Sequence, residues 1–228
     1  MGVNGESWVH SRAIQDYIKV IFKLEQGAAV STSAIALRMG VSQASVTEMV
    51  KKLAQAGLVT HSRYQGVTLT GSGRSLALEM IRHHRLIELY LHKALGFSWD
   101  QVDAEAERLE HVISEEMEAA MAAWLNEPTE DPHGDPIPSK DGVISLIRFL
   151  PLTGILPGQS VRIRRVSDSD PSLLRYLGER GLYPHVELDI VSQEPFGGPL
   201  LVRVAGVEHA LGVGVTDRVF VELVEATC

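Results

Sequence analysis

Cysteine is almost missing from this chain: there is one among 228 residues, and it is Cys228. A disulfide within the chain needs two, and a thiolate-rich zinc site needs more, so both are excluded. Long apolar runs are missing too. Hydrophobic residues make up 45% of the chain, enough to fill cores, yet no stretch approaches the ~20 residues of a membrane-spanning helix. The N-terminus has no basic-then-apolar secretory pattern, which predicts a cytoplasmic protein. There is no internal repeat and no low-complexity tract. An H-E-x-x-H zinc-protease motif, a Gly-rich phosphate loop ending in Lys-Ser/Thr, and a Ser or Cys nucleophile in a recognisable setting are all absent, which argues against an enzyme.

The length suits two or three small domains, each with its own core. A formal net charge of -8 looks unsuited to a nucleic-acid binder until it is divided along the chain. Residues 1–75 carry 8 Lys/Arg against 4 Asp/Glu, residues 76–141 carry 5 against 15, and residues 142–228 carry 8 against 10. A basic head beside a strongly acidic middle suggests a phosphate-facing part and a cation-facing part. A merely solvated acidic helix face would give the same composition.

Ile14, Ile18, Ile21 and Leu24 repeat at helical spacing, predicting a first helix that stops at Gln26-Gly27. Thr32 and Ser33 can cap a short helix ending at Gly40. Ser42 caps another, with Val46, Val50 and Leu53 on its buried face. Two short helices joined by a tight Gly-containing turn make a helix-turn-helix pattern. Leu58-Val59-Thr60 and Val67–Thr70, turning at Tyr64-Gln65-Gly66, form a hairpin that reads as a wing. Leu76, Met80, Ile87, Leu91 and Leu95 then mark a long helix, and another is expected from about Trp99 to Leu125. The Pro128–Pro138 stretch is a natural boundary. Beyond Gly142 come short β-rich segments at Val161–Val166, Val186–Val191, Leu200–Val204 and Val219–Leu223, with a short helix in Pro171–Gly181. Such strands suggest a small barrel similar to an SH3-like domain.

The recognition helix would begin at Ser42. Its exposed positions, Ser42, Gln43, Ala44, Ser45, Thr47 and Glu48, are small or polar and suited to base edges in a major groove. Lys51, Lys52 and Arg63 are placed for phosphates, and Tyr64 for the adjacent backbone. No arginine lies on the recognition face, so DNA shape is expected to share in specificity.

In the acidic middle, Glu107, Glu110 and His111 stand at i, i+3 and i+4, a helical arc of roughly 100°. Two carboxylates and an imidazole there can ligate a divalent cation. His84 and Glu88 form a second pair at i, i+4 on the preceding helix. The other histidines read as surface or packing residues. A metal-independent winged-helix regulator remains the alternative at this point, and it predicts DNA binding unchanged by chelator.

Asp16-Tyr17-Ile18, the winged helix, the runs Arg82–Glu88 and Glu107–Ser114, and the loop Asp131–Pro138 together resemble the diphtheria-toxin-repressor family of iron- and manganese-dependent regulators, in order and spacing. The resemblance implies a mainly α chain with a small β domain. It would comprise a winged helix-turn-helix DNA-binding domain (1–73), a helical metal-binding and dimerisation domain (74–141) and an SH3-like β domain (142–228). It implies a primary metal site of Asp16, Glu107, Glu110 and His111. It also implies an ancillary site of His84, Glu88, Asp131 and His133, completed by Asp168 or Asp170. Iron-responsive members place methionine and cysteine where this chain has Asp16 and Glu107, and oxygen in place of sulfur favours Mn²⁺ over the alternative, Fe²⁺. Lys19 stands where short two-metal-cluster members carry a glutamate, pointing to two separated sites. The implied protein is a homodimeric repressor of metal-uptake genes that binds a palindromic double-stranded operator when metal is sufficient. Its dimer surface would come from the apolar faces of Leu86–Leu95 and Leu109–Trp124.

Overall fold

The first helix, α1 (Arg12–Leu24), forms where the apolar repeat predicts it: Ile14, Ile18 and Ile21 are fully buried, and Leu24 packs against the same cluster. The computed structural model describes residues 11–25, 27–62, 65–145 and 147–224. Arg63 and Tyr64, expected at the wing, lie outside the described residues, as do His10 and Cys228. The chain divides into two units. The first comprises residues 1–84, 109–114 and 138–144, and the second 85–108, 115–137 and 145–228.

In the first unit α1 is followed by α2 (Thr32–Met39) and α3 (Gln43–Gln55). Ser31 and Ser42 cap the two, each hydroxyl accepting a backbone N–H at 3.1 Å, from Ala34 and Ser45 respectively. Each cap satisfies one of the donors that a helix start leaves unpaired. Gly40 ends α2 in the left-handed conformation (φ 67°), which glycine adopts without steric cost. Strands β1 (Val59–Ser62) and β2 (Gly66–Leu69) pair antiparallel, Val59 opposite Leu69 and Ser62 opposite Gly66, as the wing. Val46, Val50, Leu53, Val59 and Val67 join the α1 residues in one core. Helix α4 (Gly71–Leu95) starts against this core through Leu76 and Ala77, and the division between units falls within it, after His84.

The expected single helix from Trp99 to Leu125 is two helices, α5 (Val102–Leu109) and α6 (Glu115–Trp124). The apolar repeat continues through residues 110–114, so periodicity missed the break. The chemistry is nevertheless consistent with a fresh start: Glu115, Glu116 and Glu118 crowd the first turn of α6, where the helix dipole favours negative charge. Glu110 and His111 fall in the turn that directly follows α5. Burial is mixed along the spans expected to supply the dimer faces. Leu86 and Leu89 are buried with Ala122 and Ile137 inside the second unit, whereas Leu95, Met117 and Trp124 are exposed.

The rest of the second unit is a six-stranded antiparallel sheet in the order β3-β8-β4-β5-β6-β7: β3 (Leu150–Pro151), β4 (Ser160–Val166), β5 (Glu187–Gln193), β6 (Leu200–Val204), β7 (Val207–Leu211) and β8 (Val219–Leu223). Helix α7 (Pro171–Gly178) starts with Pro171 in its first turn and Asp170 as its cap, and it buries Leu173, Leu174 and Leu177 against the sheet. A short helix, α8 (Val213–Thr216), precedes β8. This is the small all-β domain expected. Strands β3 and β7 were not legible: both are edge strands, and β7 is largely exposed until Leu211, so neither shows the alternation of a half-buried strand. No helix among the described residues is long and apolar enough to cross a membrane.

Candidate metal centre and nucleic-acid interface

In the first unit the 110–114 turn brings Glu110 and His111 to α1. Ligand-capable atoms of Asp16, Glu110 and His111 lie within 4.8 Å of one another. His111 Nδ1–H donates to Gln15 Oε1 at 2.8 Å. The other ring nitrogen, Nε2, is buried without a hydrogen bond, 3.0 Å from Asp16 Oδ1 and 3.4 Å from Glu110 Oε1. An imidazole nitrogen aimed at carboxylate oxygens calls for a cation or a proton between them.

Glu110 is 1% exposed, and His84 Nδ1 donates to its Oε2 at 2.6 Å. Lys19, also buried, contacts Oε1. Burial by itself would raise the Glu110 carboxyl, but His84 and the Lys19 ammonium outweigh it and hold the group below the usual carboxylate range. Glu107, half-buried on α5, belongs to the second unit.

A second set lies wholly in the second unit. Glu88, Asp131 and His133 are all buried, and their ligand-capable atoms also lie within 4.8 Å of one another. His133 Nε2–H donates to the Trp99 carbonyl at 2.7 Å, and the Trp99 ring stacks on the imidazole, centroids 5.8 Å apart. Nδ1 is left buried without a hydrogen bond, 3.8 Å from Glu88 Oε1 and 3.9 Å from Asp131 Oδ1. This repeats the His111 arrangement with the ring nitrogens exchanged.

Burial, together with the charges of Glu88 and Asp135, pushes the Asp131 carboxyl well above its ordinary value. Burial lowers His133, but Asp131 and Glu88 more than reverse this and raise it. Asp168 adds to that rise, so its field reaches the imidazole. Asp170, the other candidate, is engaged elsewhere: it caps α7 through Ser172 and pairs with Arg218 at 3.3 Å.

Local geometry explains how residues 131–135 hold this shape. Asp131 Oδ1 accepts the backbone N–H of His133 (2.8 Å) and of Asp135 (3.0 Å), closing the turn on itself. Gly134 sits at φ 85°, where an added Cβ would fall 2.0 Å from the Arg164 carbonyl, so only glycine lets the loop lie on β4. Val166 N–H donates to the His133 carbonyl at 2.9 Å and completes the attachment.

Both sets offer only carboxylate and imidazole donors, a hard and borderline combination that suits a divalent first-row cation. Sequence reading did not reveal Gln15, Trp99 or the Lys19–Glu110 contact. Trp99 acts through its main chain, and Gln15 and Lys19 pair with residues more than ninety positions away.

At the candidate nucleic-acid face, Ser42, Gln43, Ala44, Ser45, Glu48, Lys51 and Lys52 are exposed and Thr47 is half-buried. The hydroxyls of Ser42 and Ser45 bond each other at 2.9 Å, and that of Thr47 donates to the Gln43 carbonyl at 2.8 Å. Lys51 pairs with Glu48 at 2.8 Å. Gln43 and Lys52 extend from the same exposed helix.

A winged helix followed by a helical segment and a small β domain defines the class of metal-dependent winged-helix regulators. Family models agree along the chain: the iron dependent repressor N-terminal DNA binding domain matches residues 10–67, the iron dependent repressor metal binding and dimerisation domain 70–139, and the FeoA domain 150–223. The chain is 32% identical over 202 residues to the iron-dependent repressor IdeR of Mycobacterium tuberculosis, covering 82% of this chain and 86% of that protein. It is 32% identical over 189 residues to the diphtheria toxin repressor of Corynebacterium efficiens, covering 78% and 82%. A solved manganese-dependent transcriptional repressor in complex with manganese superposes with a TM-score of 0.85 at 38% identity, over 92% of this chain and 99% of that one. The chain belongs to the iron-dependent repressor family. It is a metal-dependent DNA-binding transcriptional repressor and not an enzyme, its cofactor is a divalent metal ion, and its partners are operator DNA and a second copy of itself.

Proposed function

We propose that this repressor responds to manganese in the cytoplasm and silences metal-uptake genes when the ion is sufficient. The observation that carries the reading is the pair of imidazole nitrogens, His111 Nε2 and His133 Nδ1, each turned toward carboxylates by a fixed hydrogen bond on the opposite ring nitrogen. Donor sets of oxygen and nitrogen without sulfur support Mn²⁺ over softer ions. In the primary set Asp16, Glu110 and His111 would hold the ion, and the family resemblance adds Glu107 as a fourth ligand. In the second set Glu88, Asp131 and His133 would do so, with Asp168 as the further carboxylate and His84 as the remaining member implied by resemblance.

Held by Asp16, Glu110 and His111, an ion would supply the positive charge that lets α1 of the DNA-binding head and the segment around Glu110 share one site. Because metal favours the arrangement competent for DNA, it shifts the population toward that state, and operator DNA must tighten metal binding in return. Two recognition helices in a two-fold dimer fit a palindromic operator with half-sites one or more helical turns apart. Exposed Leu95, Met117 and Trp124 are the apolar residues we assign to the dimer surface.

Fluorescence anisotropy on an operator fragment at fixed salt tests the reading. We expect tight binding with Mn²⁺, and a loss of at least about tenfold on chelation or in Glu110→Gln. Binding equally tight in chelator would leave a winged-helix DNA binder without a sensor.

A further inference from the structure

The primary set contains a cation of its own. Lys19 is 5% exposed on α1, a depth at which lysine is rare unless paired. Its ammonium contacts Glu110 Oε1, the same oxygen that faces Nε2 of His111 at 3.4 Å. The other Glu110 oxygen is bonded to His84. The lysine charge thus rests on the Glu110 oxygen that faces the imidazole nitrogen, where a metal ion would have to be ligated.

We propose that Lys19 is an internal competitor for the metal: it holds Glu110 in the metal-free chain, must release it when a divalent ion binds, and so sets the affinity of the primary set. This rests on the reading of Asp16, Glu110 and His111 as ligands. An ammonium has three donors and no lone pair, so Lys19 cannot join the ion's ligands while charged. Its flexible four-carbon stem allows it to swing aside, but a positive charge left near a divalent ion is repelled by it. The metal-free state therefore gains a buried ion pair that the bound state gives up, and both effects weaken metal binding. A sensor built this way responds only above a threshold concentration of the ion.

The test compares wild type, Lys19→Met, Lys19→Gln and Glu110→Gln. It uses titration with Mn²⁺, reading free ion by electron paramagnetic resonance, together with thermal unfolding with and without Mn²⁺. The step abolished in Glu110→Gln is the one assigned to the primary set. Lys19→Met and Lys19→Gln are expected to bind Mn²⁺ at that step about tenfold tighter or more, on the scale of one charge-assisted hydrogen bond. Their metal-free forms are expected to unfold at lower temperature than wild type, so that Mn²⁺ raises their Tm further. Lys19→Gln keeps a hydrogen-bonding group on Glu110 and serves if the methionine variant does not fold. If Glu110→Gln loses the step while both lysine variants bind as wild type or more weakly, Lys19 is a structural counter-ion and the proposal fails, with the metal reading intact. If Glu110→Gln retains every binding step, the metal reading fails and the proposal with it.

Discussion

At the scale of the residue, the two candidate ligand histidines are each oriented through the nitrogen that does not face the carboxylates. Gln15 holds one proton of His111, and the Trp99 carbonyl holds one of His133. Such outer partners orient a ligand and fix its tautomer. The pH response follows from the charges around His133. Its proton is held above the ordinary 6.5 of a histidine, and that of Asp131 well above 3.8, so both compete with a metal ion. Mn²⁺ affinity at the second set is therefore expected to fall as pH is lowered through and below neutrality, and binding should release protons. Calorimetry in buffers of different ionisation enthalpy measures that release, and an enthalpy independent of buffer would contradict it. Glu110 has the opposite sign. Its carboxyl is held below its ordinary value of 4.5, so its contribution to stability is present above that value and disappears as pH falls through the lowered one.

At the scale of the element, the break between α5 and α6 and the loop after Asp131 do most to assemble the two sets. Glu110 and His111 lie in the turn that opens the break, and their ligand-capable atoms stand within 4.8 Å of those of Asp16 on α1. The loop depends on Gly134, where both the positive φ and the Arg164 carbonyl exclude a side chain. Gly134→Ala is expected to cost about 2–4 kcal/mol from backbone strain and overpacking, seen in denaturant unfolding. It should also weaken Mn²⁺ binding at the second set more than at the primary one. Equal stability to wild type would mean that the loop relaxes away from β4 without penalty. Helix existence and the wing were legible in the sequence because apolar spacing, serine caps and glycine stops are local signals. The 110–114 break was not, since its apolar residues continue the helical repeat while its carboxylate is drawn aside by partners distant in sequence.

At the scale of the whole molecule, the proposed function matches the charge pattern, a basic 1–75 segment suited to phosphate and an acidic 76–141 segment suited to a cation. Lys52 extends from the exposed face of α3, so Lys52→Ala is expected to weaken DNA binding nearly uniformly across sequences. It should also lower the slope of log affinity against log salt by about 1. Anisotropy over a salt series measures this, and an unchanged slope would remove Lys52 from the phosphate contacts. The sequence by itself determined the order of elements, the winged helix, the small β domain and nearly every residue of the candidate sets, because burial patterns and short motifs are written locally. Only the tertiary structure decided which nitrogen of each histidine faces the carboxylates, that Lys19 lies on Glu110, and that His84 turns to Glu110 as well. Those outcomes depend on contacts across long loops, where desolvation and charge pairing settle the partner and chain spacing carries no trace of it.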